Sequence, residues 1–480
     1  MSSKPKAFQA LVGAALVAGA LSAVGQAHAA ATIIINNINA AGVGFNDATA
    51  AVPVGGNTGT TLGQQRLIAF AYAANIWGAT LTSNVPIIVN AQFSALTCTA
   101  TTGVLGSAGA TQIFSDFPNA PKPGTWYSYA LANKLAGADQ NLTTPASAQI
   151  NANFNVNLGL NANCLPASPF YLGLDGNHGT GIDFVAVLQH EMAHGLGFQT
   201  FTSGSTGAQN SGIPSIWDHF LFGTTAGKLW KDMTNAERVA SAISVNGLVW
   251  TGANVTGAIP SVLRQGVASL VISGPGAGSA AGTYAVGEAG FGAPIFGNMA
   301  SAQIMPVSDQ GTGPGCAVYN DANTKAVFGR IALVDRGTCT FVVKVKNAQN
   351  AGAIGVVIAN NAAGAAPGLG GSDPTITIPT VSVSQADGLT IKSALRTRSR
   401  TASGVFATIG TTGSQYSGAD PLGRALMYAP NPFQGGSSVS HYDTTMFRNQ
   451  LMEPAINGDL TQSVLPPQDL TFRLLQDIGW

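Results

Sequence analysis

The sequence predicts an α+β protein of at least two domains, and three observations lead to this prediction. The chain has 480 residues, more than one hydrophobic core usually holds. A strand–helix–strand pattern opens the first part of the chain. From about Asn254 to about Tyr416 the composition changes to Val- and Ile-rich strands between Gly, Ala and Ser turns. This middle segment reads as a compact α/β module.

Outside the middle segment, short β-branched runs predict strands, and apolar residues at helical spacing predict helices. The predicted strands are 31–38, 85–93 and 247–252. The predicted helices are 62–81, 125–137, 215–222, 234–243 and 466–480. Inside the segment, residues 329–361 predict strand, turn, helix and strand, and residues 378–395 predict a strand followed by a helix.

Charge is scarce in this chain and is balanced. Only 9% of residues are charged, and 21 basic residues match 21 acidic ones. There is no basic stripe that could neutralise phosphates, so we expect no nucleic-acid partner. Apolar residues make up 45% of the chain, which argues against a disordered protein.

Residues 1–29 have the pattern of a secretory signal peptide. Lys4 and Lys6 precede an apolar run, and Ala27 and Ala29 form an A-x-A cleavage site. The alternative is an uncleaved N-terminal anchor, because the run is nearly long enough to span a membrane. Cleavage near Ala29 would give a secreted, extracellular protein with no transmembrane segment in the mature chain.

The four cysteines suggest two disulfides in an exported chain. They are Cys98, Cys164, Cys316 and Cys339, and three pairings are possible. A tetrathiolate zinc site is the rival interpretation, but no C-x-x-C spacing supports it. Pairing within each predicted domain favours Cys98 with Cys164 and Cys316 with Cys339.

The clearest chemical motif is H-E-x-x-H, formed by His190, Glu191 and His194. On a helix, residues i and i+4 lie on one face, so both imidazoles can reach one metal ion. Glu191 would then stand beside the ion, where it can take a proton from a metal-bound water. The alternative is a chance match on an ordinary amphipathic helix. Thr180 and Asp183 predict a capping box at its start, and Gly195 and Gly197 predict its end just after His194.

A catalytic zinc ion usually needs a third protein ligand. One zincin pattern places a histidine six residues after His194, but Thr200 stands there. The sequence pattern does not decide which other residue is the third ligand. Four candidates lie within about 45 residues of the motif and have ordinary structural explanations, and one distant histidine lies in a distinctive loop. They are His178, Asp218, His219, Glu237 and His441.

Two segments together resemble a known family. "HEMAHGLGF" with "SHYDTTMFRNQLMEP" is similar to the metzincin zinc peptidases, closest to their leishmanolysin-like branch. The resemblance implies one catalytic Zn²⁺ ion bound by His190, His194 and His441. It also implies Glu191 as the general base and Met452 in a Met-turn under the metal.

Residues 329–361 resemble a protease-associated (PA) domain, whose disulfide the Cys316–Cys339 pair fits. The resemblances imply a metzincin-like zincin catalytic domain split by an inserted α/β protease-associated domain. The implied boundaries are 30–250 and 413–480 for the catalytic domain and 251–412 for the inserted one.

The expected function is a secreted zinc-dependent endopeptidase acting on proteins or peptides. The alternatives are a non-catalytic binding protein on a zincin scaffold and a structural or adhesion protein. Tyr442 is a candidate oxyanion donor, and residues 85–93 or 169–174 are candidate edge strands for substrate. Calcium is conceivable at Asp-bearing loops such as 174–177, although no EF-hand-like spacing supports it. Cleavage specificity and oligomeric state are left open.

Overall fold

The computed structural model describes residues 30–166, 168–371, 373–457 and 459–480. The signal peptide predicted at residues 1–29 therefore lies outside the described residues. Two hydrophobic regions organise the rest. The first core takes residues from both sides of the middle segment, 31–263 and 419–478. Residues 268–409 form two apolar clusters of their own. We call residues 265–416 the inserted module.

Before the module, short strands and five helices build most of the first core. The strands are β1 (Ile33–Asn37), β2 (Ile87–Ser94), β3 (Gly106–Ala110), β4 (Ile113–Phe114), β5 (Tyr127–Ser128), β6 (Ile150–Asn155), β7 (Phe170–Tyr171), β8 (Ile182–Asp183), β9 (Leu221–Gly223), β10 (Lys228–Leu229) and β11 (Leu248–Trp250). The helices are α1 (Leu62–Thr80), α2 (Tyr129–Ala136), α3 (Phe184–Leu196), α4 (Asn235–Ser241) and α5 (Ala253–Val262).

The main sheet of the first core has the strand order β1-β2-β6-β3. β1, β2 and β6 run parallel, whereas β3 is antiparallel to β6 and forms one edge. Alternate residues of β2 are buried, as expected for a strand with one face against helices. α1 and α3 both pack in this core, and the indole of Trp77 on α1 donates to the carbonyl of Gln189 on α3 (3.2 Å).

The inserted module contains an eight-stranded sheet. Its elements are β12 (Gln265–Ser273), β13 (Gly282–Ala285), β14 (Gly287–Glu288), β15 (Ala300–Pro306), α6 (Asp321–Val327), β16 (Ile331–Asp335), α7 (Phe341–Asn350), β17 (Gly355–Ala359), β18 (Thr380–Val383), α8 (Gln385–Ala394) and β19 (Phe406–Tyr416). The strand order is β13-β12-β19-β15-β16-β17-β18-β14, and β15 to β18 are parallel. The strand, helix and strand predicted within 329–361 are confirmed as β16, α7 and β17.

Beyond the module the chain returns to the first core and ends with α9 (Thr471–Ile478), which packs against α5. α5 follows the predicted boundary after residue 250, and its Val255 and Ile259 are buried in the first core. The module begins only where β12 pairs with β19, because that pairing closes its sheet.

Four predicted helices differ from the observed ones. The one predicted at 125–137 starts only at Tyr129, after β5. Residues 215–222 form a single 3-10 turn, Ile216–His219, followed by β9, since the Asp218 side chain accepts from Ser215 N (2.9 Å) and tightens the turn. The terminal helix starts at Thr471 rather than 466. α3 is capped by Asp183 itself, not by Thr180, and continues to Leu196.

Both predicted disulfides are present, Cys98–Cys164 in the first core and Cys316–Cys339 in the module. A tetrathiolate site is thereby excluded. Over the described ranges, every helix is too short or too polar to cross a membrane.

Candidate metal centre

α3 carries the H-E-x-x-H motif through the centre of the first core. The Asp183 side chain accepts from Val185 N and Ala186 N, which satisfies two free amides at the helix start. Gly197, with φ at 122°, caps the other end. Every residue of α3 is buried, so this is not an ordinary amphipathic surface helix. Buried imidazoles and a buried carboxyl need partners, and their arrangement shows what those partners are.

His441 reaches the same place from the other side of the inserted module. Its backbone carbonyl accepts from Tyr428 N (2.9 Å), and Met427 forms a β-bridge with Tyr442. Leu426 in turn bridges Val249 of β11. His441 is therefore held on a short antiparallel pairing anchored to the first part of the chain. It lies 247 residues after His194 in sequence.

The three Nε2 atoms converge on one point. The His190–His194 and His194–His441 distances are 3.2 Å, and the His190–His441 distance is 3.3 Å. Zinc–nitrogen bonds of about 2.0–2.1 Å in tetrahedral geometry separate the ligand nitrogens by about 3.3 Å. Within the described ranges, these three form the one group of His, Cys, Asp or Glu close enough together to hold a metal ion.

The hydrogen bonds of the other ring nitrogens determine which nitrogen of each ring is free to bind a cation. Each Nδ1 is 2.7–2.8 Å from a backbone carbonyl, that of Leu451 for His190, Phe198 for His194 and Ser437 for His441. A carbonyl only accepts, so each Nδ1 carries the proton and each neutral ring offers a lone pair at Nε2. Three lone pairs facing one another cannot bond to each other, but they suit a zinc ion.

Burial keeps these rings neutral. It lowers the pKa of His190 to about 4 and that of His194 to about 3, the latter also through its neighbour His190. The pKa of His441 falls well below its ordinary value for the same reason. Neutral imidazoles are the form that binds zinc.

The Glu191 side chain extends from α3 to the edge strand β3. Burial raises its pKa to about 8, while a hydrogen bond from the backbone of Ala108 acts in the opposite direction. Gly106 stands so close that a Cβ there would lie 2.8 Å from Glu191 Oε1. The lack of a side chain at Gly106 thus leaves room for the carboxylate.

A cleft of about 870 Å³ opens over these residues. One wall is the segment 101–108, which includes part of β3, and the other is formed by 435–441 and 453–456. Among the residues that line it, the charged ones are Glu191 and Glu453. β3 is not predicted from the sequence, because its five residues, Gly-Ser-Ala-Gly-Ala, include no β-branched or aromatic residue.

Met452 is fully buried in the first core, directly after the residue that supports His190. Its carbonyl accepts from Tyr442 N (2.8 Å), which joins this turn to the residue after His441. The Asp469 carboxylate accepts from Leu451 N (2.6 Å) and so helps to orient the Leu451 peptide. The family resemblance pointed to Met452, whereas no motif marks Asp469.

The rival third ligands all have other partners. Asp218 accepts from Thr200, Thr202 and Ser215, and Glu237 pairs with Lys228 while capping α4. His219 Nε2 contacts Thr125 Oγ1 (3.1 Å), and His178 Nδ1 contacts the Gly181 carbonyl (2.8 Å). None of these four belongs to the histidine cluster.

Three further predictions concern the oxyanion donor, the strand that aligns the substrate and the calcium loop. The Tyr442 hydroxyl donates to the Leu470 carbonyl (3.2 Å) and is fully buried, so it is not available as an oxyanion donor. β2 lies between β1 and β6 in the main sheet, and β7 belongs to a separate two-stranded sheet and does not line the cleft. Asp175, in the loop considered for calcium, accepts from Tyr171 and Asn177.

Comparison with known proteins bears mainly on the inserted module. Residues 276–391 match the family model described as PA domain. The minor extracellular protease Vpr of Bacillus subtilis (strain 168) is 38% identical over 82 residues, 17% of this chain and 10% of that protein. Vacuolar-sorting receptor 5 of Arabidopsis thaliana is 35% identical over 74 residues, 15% of this chain and 12% of that protein. The chain thus spans about a tenth of the length of these relatives.

Among solved structures, an aminopeptidase from Aneurinibacillus sp. strain AM-1 is 22% identical and covers 32% of each chain, with a TM-score of 0.23. A likeness of this extent carries no assignment of activity. The chain is therefore a mixed α/β structure whose middle segment matches a PA domain.

Proposed function

We propose that this protein is a secreted zinc-dependent endopeptidase. His190, His194 and His441 hold one ion, and Glu191 is the general base. The observation that carries the proposal is the convergence of three buried, neutral Nε2 atoms at 3.2–3.3 Å, the spacing of tetrahedral zinc ligands. The cleft opens over the three histidines, so that a substrate could reach an ion held there, as a catalytic rather than a structural zinc site requires.

The bound ion would lower the pKa of a water molecule and polarise the scissile carbonyl. Glu191 takes the proton of that water during its attack on the carbonyl carbon. It then gives the proton to the leaving amine. A carboxyl whose pKa burial raises to about 8 is suited to both steps, because it holds and releases a proton near neutral pH.

The substrate backbone would add a strand beside β3. One side of β3 pairs with β6, and the other side faces the cleft with its own amides and carbonyls. Pairing of this kind does not depend on a free substrate terminus. Among the described residues that line the cleft there is no Lys or Arg to bind a terminal carboxylate, which favours cleavage within a chain over removal of C-terminal residues.

The finer family assignment, to the leishmanolysin-like metzincins, is part of this proposal. Three observations support it. The third histidine is distant in sequence, Met452 is buried directly after Leu451, whose carbonyl contacts His190, and the first core takes residues from both sides of the module. Met452 would be the Met-turn residue. The catalytic domain would consist of residues 30–263 and 417–480, split by the inserted module.

The alternative function is a non-catalytic binding protein that uses the same scaffold and the PA segment to bind partners. The presence of Glu191 in the cleft beside three convergent histidines favours the enzyme. The two functions predict different behaviour of purified protein, and one set of measurements separates them.

The test combines zinc content with hydrolysis of a peptide blocked at both termini, with and without a chelator. We expect one zinc per chain and chelator-sensitive cleavage. Glu191→Gln should keep the zinc and lose hydrolysis by several orders of magnitude, because no base remains to take the proton. The matched control is Glu237→Gln, on the surface helix α4, which should cleave normally. Full activity of Glu191→Gln would refute the mechanism, and zinc without any cleavage would favour the binding protein.

A further inference from the structure

The inserted module joins the first core through two chain crossings that lie side by side. Arg264 precedes β12 and Ser417 follows β19, and Ser417 N donates to the Arg264 carbonyl (2.9 Å). The next pair, Gln265 and Tyr416, continues this antiparallel pairing into the module sheet. We call Arg264 and Ser417 the neck.

Both neck residues hold the backbone of Phe447, six residues after His441. Arg264 N donates to the Phe447 carbonyl (2.6 Å), and Ser417 Oγ donates to the same oxygen (2.8 Å). Ser417 Oγ also accepts from Phe447 N (3.1 Å). Phe447 is thus bound on both its backbone polar groups by the two residues that flank the module.

The Phe447 side chain contacts both the neck and the module. The Arg264 guanidinium lies 4.1 Å from the centre of the Phe447 ring, within range of a cation–π interaction. The Glu288 carboxylate of the module accepts from both terminal nitrogens of Arg264 (2.6 and 2.9 Å) and keeps the guanidinium in place. Phe296 of the module packs on the same ring at 5.3 Å.

A short series of contacts leads from Phe447 to a metal ligand. The carbonyl of the next residue, Arg448, accepts from Gln450 Nε2 (2.8 Å), and Gln450 Oε1 accepts from Leu470 N (2.8 Å). Leu451 follows, and its carbonyl accepts from His190 Nδ1 (2.7 Å). The position of Phe447 therefore helps to set where the 448–453 turn presents the carbonyl that orients His190.

We propose that Arg264 and Ser417 are positioning residues for the metal centre, through which the inserted module keeps the 448–453 turn in register under His190. This inference rests on the proposed zinc function. Groups that hydrogen-bond to a ligand histidine affect metal affinity strongly. The neck acts less directly, because it holds Phe447, and Phe447 in turn positions the turn that contains Leu451. The module is then a part of the support of the site and not only an attached domain.

The test measures zinc release to a chromogenic chelator from the full-length protein, alongside the melting temperature and the kcat and KM of the zinc-saturated enzyme. Arg264→Met removes the Glu288 pair and the cation over Phe447, and Ser417→Ala removes both side-chain hydrogen bonds to its backbone. We expect each to release zinc about three- to tenfold faster, less than the roughly 10–100-fold effect of losing a direct partner of a ligand. Ser417→Thr, which keeps the hydroxyl, should restore slow release.

The control is Arg424→Met. Arg424 also pairs with a carboxylate, Asp420, and also lies over a ring, Phe222 (4.9 Å), but it does not contact Phe447. It should lower the melting temperature without changing zinc release. Release at the wild-type rate from both neck variants would overturn the inference while leaving the zinc peptidase intact. A wild-type protein that binds no zinc would overturn the proposed function and this inference with it. Ser417→Ala decides the matter if Arg264→Met does not fold.

Discussion

The first core and the inserted module bury very different residues. Between residues 265 and 416, the one buried charged side chain in the described part of the chain is Lys344. Val, Ile, Leu and Ala fill both faces of the module sheet. The first core buries all three histidines of the cluster together with Glu191, Asp218, Glu453 and Asp469.

This difference shows where the chain buries ionisable groups at an energetic cost. Burying an ionisable group without a partner is expensive, and a core made for stability alone avoids it. The module does so, with the exception of Lys344, whose ammonium group donates to the Pro314 carbonyl (2.5 Å). In the first core, Asp218 and Asp469 are satisfied by hydroxyl or amide donors, whereas the three Nε2 atoms face one another, and the proposed zinc ion would satisfy their lone pairs.

The largest test of this contrast is His441→Ala. Loss of a direct ligand should reduce zinc affinity by more than the roughly 10–100-fold that follows from loss of a partner outside the ligands. The measurement is zinc retained after dialysis against a chelator. His219→Ala is the control, since that ring contacts Thr125 and should not affect the zinc. Stoichiometric zinc in His441→Ala would mean that the buried cluster is not the metal site.

A second, smaller effect is expected at β3. Gly106→Ala would bring a Cβ within 2.8–3.0 Å of the Glu191 side chain, which must then move. A displacement of about 1 Å can cost 10²-fold in rate, so kcat should fall about a hundredfold with zinc retained. Gly109→Ala on the same strand is the control, because its Cβ would meet only Gln199 at an ordinary 3.7 Å. Equal activity of the two variants would show that the fit of Gly106 to Glu191 is irrelevant.

The smallest effect is expected from mild acid. Burial sets the folded pKa of His190 at about 4 and that of His194 at about 3, below the ordinary 6.5. The folded rings therefore stay neutral as the pH falls through 6.5, and the unfolded chain takes up protons first. We expect zinc to remain bound at pH 5 and to be lost as the pH falls through about 4. Release centred near pH 6.5, followed as zinc per chain after dialysis, would contradict the burial of these rings.

The sequence predicts well whatever depends on neighbouring residues. The i, i+4 spacing was enough to place His190 and His194 on one helix face. In the module, β16, α7 and β17 follow one another closely, and their apolar runs identify them.

What the sequence alone does not predict depends on distant contacts. The residues themselves left five candidates for the third ligand, and only the family resemblance singled out His441. β3 is a strand because β6 pairs with it, although its own residues carry no strand signal. Asp469 and the neck matter through hydrogen bonds to residues 18 or more positions away in sequence. Such contacts leave no local pattern to read.

The division of the first core by the module also has a consequence in time. Synthesis proceeds from the N-terminus, so α3 emerges before the module, and His441 and the 448–453 turn emerge after it. Until then α3 has no Leu451 carbonyl and no third imidazole, while the module can complete its own sheet between residues 265 and 416. Contacts between residues 251 positions apart form late in folding. The proposed peptidase is then inert while its chain is being made, and it gains its activity only when the last part of its core closes over the helix.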